Sequence, residues 1–149
     1  MKSLLKFARL PNCDRILLLK TFALLTAVRL GLWLLPFKQL QQYLNQISSS
    51  QVPARNAVRG SVVNKIVWAV DVSCGLMPGQ VKCLARALTT QVIIRRQGYT
   101  PDLRIGVAKD EANRLEAHAW LELQGYVVIG LLPDLNRFVP MPSFNVDLL

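Results

Sequence analysis

Apolar residues recur at helical spacing between Gly79 and Gln97, at Val81, Leu84, Ala85, Leu88 and Val92. A period near 3.6 predicts a helix with one buried face. Pro78 precedes it, Arg95 and Arg96 fall in its last turn, and Gly98 is placed to cap it. Val62–Cys74 carries Val62, Ile66, Val67, Val70 and Val72 around Trp68, and predicts a second helix. Gly75–Pro78 breaks it. Arg15–Phe37 is apolar on every side. Lys20 and Arg29 lie on opposite sides of it at about 100° per residue, so it has no clean polar face. Its uncharged runs are shorter than the roughly 18–20 residues that spanning a bilayer requires. The expectation is a helix largely buried in the domain, with its basic side chains snorkelling at the edges. Gln46–Asn56 is Ser-rich with a proline and reads as a loop.

The pattern then changes. Leu103–Ala108, Ala117–Leu123 and Tyr126–Leu132 read as strands, the last two joined by a tight turn at Gln124-Gly125. Helices followed by an antiparallel meander predict an α+β fold, in which the Gly79 helix packs on a small sheet. At 149 residues the chain is expected to form one domain, residues 1–149, with 1–50 as its helical N-terminal part.

Composition sharpens this picture. The chain is 52% hydrophobic and 18% charged, which excludes disorder. Its net charge of +9 is unevenly placed. Through Lys65 there are ten bases and a single acid, Asp14; beyond it eight bases face eight acids. A basic N-terminal part attracts anionic partners. Nucleic acid fits least, because the bases are interleaved with leucines and no recognition motif appears. Peripheral contact with a membrane face is a further use for such a segment. A signal peptide is not expected, since no small-residue cleavage site follows Pro36.

Cys13, Cys74 and Cys83 are an odd count with no Cys-x-x-Cys spacing. That fits neither a disulfide framework nor a zinc site, and a reducing cytoplasm is the natural location. Cys83 falls in the first turn of its helix, beside Lys82. Unpaired backbone N–H groups and the positive end of the dipole stabilise a thiolate there, and the same groups suit an oxyanion. Against this, Cys83 adjoins the apolar positions Val81 and Leu84, as a core cysteine would. His118 is the only histidine, on a strand expected to pack against that helix. It is either the base for Cys83 or a structural residue.

The stretch from Pro78 to Gly125, with "KCLARAL" and "EAHAWLELQG", resembles the transglutaminase-like cysteine peptidases of lasso peptide biosynthesis. The Leu/Arg-rich leading segment is similar to theirs as well. The resemblance implies a transglutaminase-like, papain-like core, with Cys83 as nucleophile and His118 as general base. It also implies an Asp on the following strand to orient the imidazole. That place falls near Gly130, which has no side chain. Glu122 shares a strand face with His118 but lies about 13 Å along it. Asp134, the first acid beyond Gly130, is the remaining candidate orienter. Arg86, three residues after Cys83, is expected to bind substrate or, by preference, an acidic side chain of the domain itself. Trp120 is expected on the same face as His118, as a wall of the site or part of the core.

The resemblance further implies removal of the leader from a ribosomally made precursor peptide. A separate leader-recognition protein and an ATP-dependent cyclase would act with it. No GxxxxGK[ST] loop occurs, so no ATP or other cofactor is expected on this chain. Two other readings stand beside this one. One is a non-catalytic peptide-binding scaffold of the same fold, which the missing Asp favours. The other is an acyl transferase of transglutaminase type.

Overall fold

The computed structural model describes residues 2–49 and 52–142. Among these residues the fold is α+β: five helices, then a four-stranded antiparallel sheet. The helices are α1 (Lys2–Ala8), α2 (Asn12–Leu34), α3 (Phe37–Ser48), α4 (Gly60–Leu76) and α5 (Cys83–Arg96). The strands are β1 (Asp102–Lys109), β2 (Leu115–Leu123), β3 (Tyr126–Ile129) and β4 (Val139–Pro140), in the order β3-β2-β1-β4. Ser50 and Gln51, within the loop expected over Gln46–Asn56, lie outside the described residues.

The elements differ from the sequence pattern at several points: α1, the 3-10 turn and β4 have no counterpart in it, and α4 runs through Gly75 to Leu76. The helix expected over Arg15–Phe37 ends at Leu34, and a separate helix begins at Phe37. Leu35 is extended, as a residue before proline prefers, so α2 stops at Leu34 and α3 starts after Pro36. The loop expected from Gln46 begins later, because α3 continues to Ser48. The helix expected from Gly79 starts at Cys83. Gly79 adopts φ +79° and Lys82 is extended, so 79–82 cannot be helical. The strand expected to reach Leu132 ends at Ile129, where Gly130 turns to φ +87°.

The helices build two adjoining cores. In the first, Leu25 and Val28 of α2, Leu40 and Leu44 of α3 and Leu88 and Val92 of α5 meet Met77. In the second, Val63, Ile66 and Val70 of α4 and Ile94 of α5 pack on Leu121, Leu123 and Ile129 of the sheet. α2 is not largely buried, contrary to the sequence expectation. One stripe, Leu18, Thr21, Leu25 and Val28, faces inward, while Ile16, Leu19, Leu30, Trp33 and Leu34 are exposed. An all-apolar helix carries no sequence signal for which of its faces is covered.

The sheet has two unlike faces, because side chains alternate along a strand. Leu121 and Leu123 of β2 face the helices. Trp120 faces the other way, in a small cluster with Ala108 and Phe138. Residues beyond β3 cross this second face through a 3-10 turn, Leu135–Arg137, into β4, which pairs with β1.

Candidate active site

Cys83 is the first residue of α5, with a free, half-buried thiol. Its position follows from the extended run that Gly79 permits. The first N–H groups of a helix have no intrahelical partner, and here no side chain caps them. They are therefore available to an oxyanion beside the thiol.

β2 carries His118, opposite Gly106 of β1. His118 Nε2 lies 2.7 Å from the Gly130 carbonyl oxygen. A carbonyl only accepts, so Nε2 is the donor. In the neutral ring Nδ1 then keeps its lone pair. The ring stacks on Trp120, with centroids 6.1 Å apart and planes 16° from parallel. Phe138 meets it at 5.6 Å. Trp120 is only 3% exposed, and its Nε1 donates to Glu122 Oε1 at 2.9 Å. It is thus both a core residue and a wall against His118. Among the described residues, no hydrogen bond or ring contact joins Cys83 to His118. α5 and β2 pack together, but His118 and Trp120 lie on the sheet face turned away from the helical core.

Among the described residues Asp134, the expected orienter, makes no hydrogen bond to His118. Its exposed carboxylate accepts from Arg137 Nε at 2.6 Å. That bond holds the carboxyl below its ordinary range, and the imidazole is close enough to add to the downward pull. Arg137 also reaches Glu116 at 2.5 Å and stacks over Phe138, so it ties the crossing segment to the sheet. The spacing of Asp134 and Arg137, i and i+3, is a charge-pair signal that the sequence carries. The Gly130 carbonyl gives no such signal, since a backbone acceptor leaves no residue signature. Position 130 also rejects a side chain. A Cβ there would lie 2.8 Å from the Ala119 oxygen and 2.9 Å from Trp120 Cα.

Arg86 pairs with Asp71 of α4 at 2.5 Å. It therefore has the internal acidic partner preferred for it. Cys74 lies close by, and burial pushes its thiol up while Arg86 opposes the shift. Among the described residues, no group of three or more His, Cys, Asp or Glu could hold a metal ion.

The family model of the transglutaminase-like superfamily matches residues 22–143. The chain belongs to that superfamily, which includes cysteine peptidases and acyltransferases. No curated protein and no solved structure matches the chain.

Proposed function

We propose that the protein is a cysteine peptidase that removes the leader of a lasso-type precursor peptide in the cytoplasm. Cys83 is the nucleophile and His118 the general base. A separate leader-recognition protein and an ATP-dependent cyclase complete the system. The observation that carries this reading is the His118 tautomer: the Gly130 carbonyl holds Nε2–H and leaves Nδ1 as an acceptor. In the reaction Nδ1 takes the thiol proton and sulfur attacks the scissile carbonyl. The free N–H groups of α5 hold the oxyanion, and the imidazolium protonates the leaving amine. Water then hydrolyses the thioester. Cys83 and His118 make no hydrogen bond in the structure and His118 faces away from the helical core, so this chemistry requires a rearrangement that brings thiol and imidazole together.

The test is co-expression with a precursor and a leader-binding protein from neighbouring genes, read by mass spectrometry. A leader-free core is expected with the wild type and an intact precursor with Cys83→Ala. Cleavage that persists in Cys83→Ala overturns the proposal. With an added primary amine, a product carrying that amine in place of water's hydroxyl identifies an acyl transferase instead. A non-catalytic scaffold draws support from Gly130 itself, because a neutral carbonyl balances an imidazolium less well than a carboxylate does.

A further inference from the structure

We propose that the outward face of α2 docks on an anionic lipid bilayer, with the helix lying in the plane of the surface. Ile16, Leu19, Leu30, Trp33 and Leu34 form an exposed apolar strip about 27 Å long at 1.5 Å per residue. Trp33, at its C-terminal end, is 82% exposed. Tryptophan at the end of an apolar helix suits the membrane–water boundary. A groove of about 400 Å³ opens on this side of α2, between Phe22, Leu30 and Trp33 and the Met77-Pro78 run. Its walls are mostly apolar, with Thr26 and Arg29 also lining it, and suit an acyl chain.

Charge selects the occupant. Arg9 precedes the helix, Lys20 flanks the strip and Lys38 follows, all exposed. The only acid in the first 65 residues, Asp14, is held by Lys65 at 2.6 Å. A second copy of this chain would bring two basic surfaces together, which like charge opposes. An anionic bilayer offers both an apolar interior and the opposite charge. By length and composition α2 is apolar enough to cross a membrane. Its packing argues against spanning. Leu25 and Val28 are fully buried with Leu88 and Val92, and spanning would pull them out of that core.

The experiment is flotation of the full chain with vesicles of phosphatidylcholine, alone or mixed with equal phosphatidylglycerol. The chain should float with the mixed vesicles, less so at high salt, and weakly with phosphatidylcholine alone. Leu19→Glu with Leu30→Glu, both at exposed positions, should weaken binding at least about tenfold. Brominated lipid should quench the wild-type fluorescence, and Trp33→Phe should remove that quenching. No flotation on anionic vesicles overturns the proposal, including the case where an acidic protein binds the face instead. Quenching that survives in Trp33→Phe also overturns it, because the contact then lies elsewhere.

Discussion

The imidazole of His118 is held by the backbone of Gly130, through a 2.7 Å hydrogen bond from Nε2 to the carbonyl oxygen. A glycine thus fills the place where the resemblance leads one to expect an aspartate. It does so with its main chain, because its φ of +87° and the closeness of Trp120 leave no room for a side chain.

Restoring the aspartate should therefore fail. Gly130→Asp is expected to destabilise the fold by roughly 2–4 kcal/mol, through backbone strain and collision with β2. Thermal unfolding checks this. An unchanged melting temperature, with faster turnover, would show that the backbone accommodates a carboxylate.

Asp134→Asn should leave turnover nearly unchanged, since the carboxylate is hydrogen-bonded to Arg137 and the Gly130 carbonyl is what holds His118. The pH dependence has a definite sign. A carboxyl held below its ordinary value stabilises the fold above that value and loses its contribution as pH falls through the depressed one. The variant should lack this acid-side component, which salt should also weaken. A large loss of turnover without loss of substrate binding would return the orienting role to Asp134.

Much of the fold was legible because its signals are local. The apolar spacing of α5 and the Gln124-Gly125 turn both stand in the structure, the turn with positive φ at both residues. Less legible were features set by tertiary contact. Nothing in Arg15–Phe37 distinguishes the buried stripe of α2 from its exposed one. Gly79 opens the periodic run, yet its backbone conformation moves the start of α5 to Cys83. In the site, Cys83 and His118 stood out by type and position. The Gly130 carbonyl and the Phe138 contact arise only when the chain beyond β3 folds over the sheet.

Arg86 is tied to Asp71, so its replacement should act on stability rather than on substrate binding. Arg86→Ala and Asp71→Asn are expected to couple by about 0.2–1 kcal/mol in a double-mutant cycle, as partly exposed pairs do. Additive effects, or a raised KM in Arg86→Ala alone, would assign Arg86 to the substrate.

Cys74 should alkylate slowly at neutral pH, because burial pushes its thiol above the ordinary 9.0. A raised thiol pKa favours the folded state below the unfolded value, and that contribution is lost as pH rises through the folded one. Stability should therefore fall on the alkaline side, and less so in Cys74→Ala. An alkaline limb identical in both proteins would contradict this.

Joint action of Cys83 and His118 can be read without a known substrate, by site-resolved alkylation. Iodoacetamide labelling near neutral pH, followed by peptide mass spectrometry, gives a rate for each of the three cysteines. Cys83 should react ahead of Cys13 and Cys74. In His118→Ala its rate should fall at least about tenfold, with the other two unchanged. A Cys83 rate that matches Cys13, or that does not respond to His118→Ala, would contradict the pairing.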